Sequence, residues 1–292
     1  MKKYLCNKLY VSAFFSVLFL VVFAAIGAKR FIALNKLDDS VDSSLQKPLI
    51  PPHDFAGRVW LVSYADGPEV YFANQNFLAQ TAINKGIDFI LMYRRPNIAP
   101  DFYQANRAIL EQPRGAGYWL WKPYFILRTL EMVPEGDIVV YVDAGAFIKD
   151  NIIPLLQYTK TSDRVFVQNT HVNRGFMKHD TMVLMGMDDS VLDKPQLDAA
   201  VIIIKNTQSS RDFIKQWLDL CQNARLLTDQ PSETKEYPDF NSHRHDQSIL
   251  SLLYLKNPEG AHIISNAEKS IYFNHHKRRP NQADISLFKF NR

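Results

Sequence analysis

Apolar and polar positions along the chain fall into strand-like and helix-like runs that alternate. Ile138-Val139-Val140-Tyr141-Val142 is a continuous apolar run, as a strand buried on both faces requires. Arg58 to Tyr64, Asp88 to Tyr93, Arg164 to Gln168 and the β-branched run Leu197 to Ile204 read as further strands, and His262 to Ile264 as a short late one. Glu69 to Lys85 carries Phe72, Phe77, Leu78 and Ala82 at helical spacing and stops at Gly86. Helices are also predicted over Asp101 to Glu111, over Pro123 to Met132 with proline in the tolerated first turn, and over Ile153 to Tyr158. A further helix runs from a Ser209-Ser210 cap to Asn223, with Phe213, Ile214, Trp217 and Leu218 on one face, and another from His245 to Leu255. Strands alternating with helices predict an α/β fold with a mostly parallel central sheet flanked by helices.

One run breaks the pattern. Val11 to Ala28, VSAFFSVLFLVVFAAIGA, is uncharged and long enough to cross a ~30 Å hydrocarbon core, whereas a secretory h-region spans only ~7–15 residues. It reads as an uncleaved single-pass anchor. Lys2, Lys3 and Lys8 ahead of it, against Lys29 and Arg30 behind, tilt the N-terminus toward the cytoplasm. Residues 29–56 are polar and proline-rich, as a linker is. The expected order is a tail at 1–10, an anchor at 11–28, a stem at 29–56 and a catalytic-sized domain at 57–292.

Composition narrows the classes. With 47% hydrophobic and 12% aromatic residues the chain is globular. A net charge of +4 spread over 292 residues gives no basic footprint for nucleic acid, and suits anionic substrates or a membrane surface. Cys6 and Cys221 lie on opposite sides of the expected anchor, so neither a disulfide framework nor a cysteine-based zinc site is available. No Asn-x-Ser/Thr acceptor occurs; with the scarce cysteine this leans toward a bacterial membrane, though a Golgi-like lumen stays open.

Chemistry concentrates where the apolar strand ends, at Asp143-Ala144-Gly145. Ligands of open α/β sheets bind beyond the carboxyl ends of strands, and Gly145 lets a diphosphate approach the backbone there. Upstream, Gly115 to Pro123 sets Tyr118 and Trp121 beside Lys122: flat aromatic faces for a base or sugar ring, and a point charge for phosphate. Asp66 follows the first strand, and Asp180 precedes the apolar Met182 to Met187. His245 and Asp246 open a helix, where a carboxylate and backbone N–H groups face a ligand. His275 and His276 sit in a basic C-terminal stretch. No Gly-x-x-x-x-Gly-Lys-Ser/Thr, Gly-x-Gly-x-x-Gly or Gly-x-Ser-x-Gly motif is present, which argues against P-loop, dinucleotide and hydrolase chemistry.

Taken together, GYWLWKPYFIL, VVYVDAG, the Lys178 to Met187 stretch and HRHDQSILSLL resemble the nucleotide-sugar glycosyltransferases of the GT-A fold, in a branch with Asp-x-Gly where Asp-x-Asp is usual. The resemblance implies transfer of a sugar from a nucleotide-diphosphate donor to a glycan or glycolipid acceptor, in polysaccharide biosynthesis, by a protein held in the bilayer through residues 11–28. It implies donor contacts from Asp66, Tyr118, Trp121, Lys122, Asp143, Gly145 and Asp180, and catalytic roles for Asp246 with His245 beside it. It also implies a divalent cation, Mn or Mg, held by Asp143 with His275 or His276, the histidines making up for the carboxylate that Gly145 lacks. That missing carboxylate motivates the alternative, a catalytically inactive scaffold of the same fold that binds a glycan or a protein partner.

Overall fold

The computed structural model describes residues 57–275. The expected anchor at 11–28, the stem at 29–56 and His276 lie outside the described residues. No helix among the described residues is long and apolar enough to cross a membrane.

Six strands form the main sheet: β1 (Val59–Tyr64), β2 (Phe89–Tyr93), β3 (Ile138–Val142), β5 (Arg164–Val172), β6 (Pro195–Lys205) and β7 (Ala261–Ser265). Their order is β2-β1-β3-β6-β5-β7. β1 pairs in parallel with both β2 and β3, and β5 pairs in parallel with β7, while β6 runs antiparallel to both neighbours. The sheet is therefore mostly parallel, as expected, with one reversed strand at its centre. A second, two-stranded sheet joins β4 (Ala146–Ile148) to β8 (Phe273–His275), so the chain's late segment returns to lie beside the turn that follows β3.

β3 is buried at every position because helices cover both faces. On one face Val139, Tyr141, Ile202 and Ile204 pack with Phe125 and Leu130 of α2 (Trp121–Met132), Trp217 of α4 (Gln208–Cys221) and Leu250 of α5 (Asp246–Lys256). On the other, Ile138, Val140, Val142 and Ile203 meet Leu78 and Ala82 of α1 (Glu69–Ala82). Burying each such side chain contributes roughly 1.5–3 kcal/mol, which is why the sheet's central register is well specified. Two more helices bear on the site, α3 (His179–Leu184) and α6 (Asn266–Tyr272).

Most predicted elements are present with ends moved by a few residues. The helix expected over Asp101 to Glu111 is two short helices, because Asn106 turns its amide to Phe102 O at 3.0 Å and Gln222 Oε1 at 3.1 Å. The cap of α4 is Thr207, whose hydroxyl accepts from Ser210 N at 3.2 Å, rather than Ser209-Ser210. The first half of the apolar Met182 to Met187 run lies within α3, which ends at Leu184.

The register of β6 matters most to function. Its pairing with β5 jumps from Phe166↔Ile202 to Val167↔Asp198, so residues 199–201 bulge away from β5. Bulges next to active sites re-aim backbone and side chains. Here Ala200 O accepts from Asp143 N at 2.9 Å and Ala199 O is left to accept from Lys122 Nζ at 3.0 Å.

Candidate active site

The carboxyl ends of β1 and β3 open into a cavity of about 300 Å³, walled by Tyr64, Asp66, Trp119, Trp121, Asp143 and Gly145. Tyr64 and Trp121 stack with ring centroids 4.2 Å apart. Asp66 is oriented by Arg95 Nε at 2.6 Å and by the Tyr64 hydroxyl at 3.1 Å. Burial, with the Asp66 carboxylate beside it, pushes the Tyr64 phenol far above its ordinary value, so it stays a neutral donor.

The segment feeding this cavity is strained. Gly115, Ala116, Gly117, Tyr118 and Trp119 have φ of +57°, +51°, +102°, +51° and +61°, a left-handed turn where an aromatic loop was expected. Each non-glycine residue there costs about 1–2 kcal/mol. Backbone bonds Tyr118 N to Arg114 O (2.8 Å) and Trp119 N to Gly115 O (3.2 Å), with Trp121 Nε1 to Gly115 O (2.9 Å), hold it. Gly117 is required twice over: its φ is positive, and a Cβ would lie 2.7 Å from Leu110 Cα. Strain of this kind collects at ligand sites when its surroundings over-determine it. Its consequence is that Trp119 faces the cavity, while Tyr118 packs against His245 at 5.1 Å and does not line it.

A second cavity, about 260 Å³, adjoins the first across Trp119 and Asp143. Three carboxylates line it: Asp143, Asp198 from β6 and Asp246 from the first turn of α5. Lys122 lies between two of them. Its Nζ is 3.3 Å from Asp143 Oδ1 and 3.0 Å from Asp246 Oδ2, and only 3% of its side chain is exposed. Burial alone would lower the ammonium, but the Asp143 and Asp246 carboxylates hold it above its ordinary value. Lys122 is thus a buried bridge and not the free phosphate ligand the sequence suggested.

Burial pushes Asp246 up to about 6, against the pull of Lys122. Its Oδ2 sits within ion-pair distance of Lys122 but out of line for a hydrogen bond. A carboxyl that titrates near neutral pH in a cavity is suited to take a proton from a hydroxyl. Asp143 accepts a 2.5 Å bond from the Tyr141 hydroxyl. Asp198 pairs with Lys269 of α6 at 2.6 Å, which outweighs burial and holds its carboxyl below the usual range.

His245 lines this cavity as a support. Its φ of +55° and ψ of −121° set the start of α5. Its ring is held between Leu227 O, 2.8 Å from Nδ1, and Arg114 Nε, which donates to Nε2 at 3.1 Å. Burial lowers its basicity, so the ring is neutral, stacked on Trp119 at 5.2 Å. It directly precedes Asp246 at the start of α5.

Asp180, expected as a donor contact, is placed elsewhere. It lies beneath the segment that follows Thr228, 2% exposed, accepting from Glu233 N and Thr234 N at 3.0 Å and pairing with Arg225 at 2.9 Å. Burial would raise its carboxyl, but these bonds hold it far below the usual range. It anchors that segment and lines none of the cavities described here.

A divalent hard cation asks for several oxygen or nitrogen ligands around one point. Asp143 brings one carboxylate, with Oδ1 already engaged by Tyr141 and Lys122, and Gly145 brings none. His275 is exposed on β8, in register with Ala146. Among the described residues no group of three or more His, Cys, Asp or Glu is placed to hold a metal. The donor set of the described residues does not fit a divalent cation.

Sequence reasoning did not single out Asp198, Lys269 or Arg244, and took Trp119 only as one of the two tryptophans beside Lys122. Trp119 was legible as part of YWLW. Asp198 and Lys269 meet across 71 residues of chain, and nothing local marks either. Arg244 lines the second cavity beside Arg114, so two guanidinium groups border it.

Residues 96–284 match the family model of the galactosyl transferase GMA12/MNN10 family. No curated protein matches the chain. Among solved structures, mouse Xyloside xylosyltransferase 1 in its apo form shares 9% identity and a TM-score of 0.43, over 71% of this chain and 84% of that one. A glycosyltransferase involved in glycosylating the major capsid of PBCV-1 shares 10% identity and a TM-score of 0.42, over 76% and 96% of the two chains. The galactosyltransferase LgtC, in complex with donor and acceptor sugar analogues, shares 15% and 0.40, over 78% and 81%.

Proposed function

The chain belongs to the galactosyl transferase GMA12/MNN10 family and is a glycosyltransferase; from that premise we propose that it moves a sugar from a nucleotide-diphosphate donor to a glycan hydroxyl. The observation that carries this reading is the pair of adjoining cavities, one walled by aromatics and Asp66, the next by three carboxylates, with Asp143 shared between them.

The nucleoside occupies the first cavity, with Trp121 and Trp119 as ring faces and Asp66 as acceptor for ribose hydroxyls. The donor sugar reaches past Asp143 into the second cavity. There the acceptor hydroxyl attacks the anomeric carbon, Asp246 takes its proton, and the bond to the diphosphate breaks. Arg244, and Arg114 with its ion-pair partner Asp229 at 3.1 Å, are the guanidinium groups that border this cavity and meet the charge that grows on the departing diphosphate. Lys122, locked between its partners, fixes Asp246 and Asp143 relative to each other and keeps two carboxylates tolerable in one small cavity.

The test is turnover of labelled nucleotide-sugars by the full-length protein, across a panel of donors and simple glycan acceptors. The Asp143→Ala variant is expected to lose at least about tenfold in kcat/KM, equivalent to ~1.4 kcal/mol of transition-state stabilisation. Unchanged turnover in that variant removes the shared wall from the donor site.

Residues 11–28 hold the protein in a bilayer as a single-pass anchor with the N-terminus cytoplasmic, on the strength of their uncharged length and the flanking lysines. Deletion of residues 1–28 is expected to move the protein from the alkali-resistant membrane pellet to the supernatant. Retention in the pellet would refute the anchor.

A further inference from the structure

Among the described residues β2 is an outer strand of the main sheet, paired on one side only, with β1. Its register with β1 is unbroken from Phe89 to Tyr93, and it contains no lysine and no proline. Bulges, lysines and prolines are the devices that keep an edge strand from pairing with another chain, and β2 has none of them. Ile90 and Met92 are 36% and 41% exposed on it, whereas β7 at the opposite edge exposes no large apolar side chain. We propose that β2 is the docking edge for a second copy of this chain, paired antiparallel about a two-fold axis at Leu91, so that the two sheets continue as one.

The strand and its flanks, Asp88-Phe89-Ile90-Leu91-Met92-Tyr93-Arg94, are complementary to themselves in that register. Leu91 lies opposite Leu91 of the second copy, Ile90 opposite Met92, Phe89 opposite Tyr93 and Asp88 opposite Arg94. Aliphatic meets aliphatic, aromatic meets aromatic and acid meets base, each a favourable cross-strand pair. A slide of two residues sets Arg94 opposite Ile90, or Asp88 opposite Met92. A slide of one turns the apolar positions to the wrong face.

The backbone and the faces agree with this register. Ala65 N donates to Tyr93 O at 3.2 Å, which turns Tyr93 toward β1 and, by the alternation along a strand, turns the N–H and C=O groups of Ile90 and Met92 to the open edge. Those two residues are the ones set opposite each other. Leu61, which packs in the α1 core, is the β1 partner of Ile90, so Ile90, Met92 and Arg94 share the α1 face. There the Arg94 guanidinium lies over the Phe72 ring of α1 at 4.8 Å, and exposed Asp88 is held at the strand's start by accepting from Val59 N at 2.7 Å. Opposite charges thus stand at the two ends of each strand, where they fix both direction and register. None of residues 88–94 lines either cavity of the site, so pairing at this edge leaves both open.

The experiment uses full-length protein in detergent, in a Cys6→Ser background whose remaining cysteine, Cys221, is buried. Opposite residues of an antiparallel pair stand at disulfide distance, so Leu91→Cys is expected to cross-link into a reducible dimer on mild oxidation. Ile90→Cys and Met92→Cys are expected to cross-link when co-expressed and to do so poorly when either is expressed alone. Both positions are exposed, so this pair carries the test should Leu91→Cys fail to fold. Ile90→Lys, which sets a charge on the apolar edge, is expected to halve the protein mass that light scattering reads for wild type. A wild type of monomer mass overturns the proposal. So does cross-linking of Ile90→Cys alone as complete as that of the co-expressed pair, or a cross-link to a different protein. A dimer that survives Ile90→Lys unchanged places the contact on the anchor or another surface and overturns it as well.

Discussion

Replacement of Lys122 by methionine is expected to lower the melting temperature by roughly 6–20 °C and to abolish measurable sugar transfer. Breaking a buried pair by removing one partner costs about 3–5 kcal/mol, because the other charge is left uncompensated. For a domain of this size each kcal/mol shifts the midpoint by about 2–4 °C. The burden falls on Asp246, whose side chain is 5% exposed, more than on Asp143, which keeps 30% of its own in solvent. A double-mutant cycle separates charge from packing. If the loss is electrostatic, Lys122→Met with Asp246→Asn melts higher than Lys122→Met alone. A double variant that melts at the same temperature or lower assigns Lys122 to packing only. Thermal unfolding followed by circular dichroism reads both outcomes.

Asp246→Asn is expected to cut transfer by ~10²–10⁴-fold, the usual contribution of a positioned general base, and to remove the fall in melting temperature that wild type shows between pH 3.8 and about 6. Both halves follow from one shift. The folded carboxyl titrates at about 6 against an ordinary value of 3.8. A carboxyl raised in the folded state binds its proton more tightly there than when unfolded. Its contribution to stability is then complete below pH 3.8 and is lost as pH rises through about 6. A shift of that size amounts to about 3 kcal/mol. Asparagine resembles the protonated acid and escapes that loss. Activity runs the other way, since the base must be ionised, so kcat/KM in wild type should fall as pH drops below about 6. Opposed pH trends in melting temperature and rate are the signature of a group kept for chemistry at the expense of stability. A variant within threefold of wild-type turnover would take Asp246 out of the reaction.

The alternation of apolar and polar positions already contained the α/β architecture. Burial of a strand on both faces leaves a continuous apolar run, and a helix on a sheet leaves a 3.6-residue stripe. Both are local signals, so β3 and α4 could be placed from a dozen residues each. The end of β3 pointed to Asp143 for the same reason, and the opening of α5 to Asp246. What they do there was not legible. Nothing in GYWLWKP tells Lys122, locked in a buried bridge, from a lysine reaching solvent, or shows that five residues before it turn left-handed and aim Trp119 at the cavity. Asp180 looked like Asp143 in isolation, yet one anchors a surface segment and the other lines a cavity.

The sequence by itself determined which segments are buried, in what order strand and helix follow, and which strand end carries a carboxylate, because burial imprints its period on neighbouring residues. The tertiary structure decided which charges meet. Lys122 reaches Asp246 and Ala199 only because β6 bulges at residues 199–201 and α5 starts beneath it. Ion pairing acts over a few ångströms in space, and distance along the chain carries no record of it.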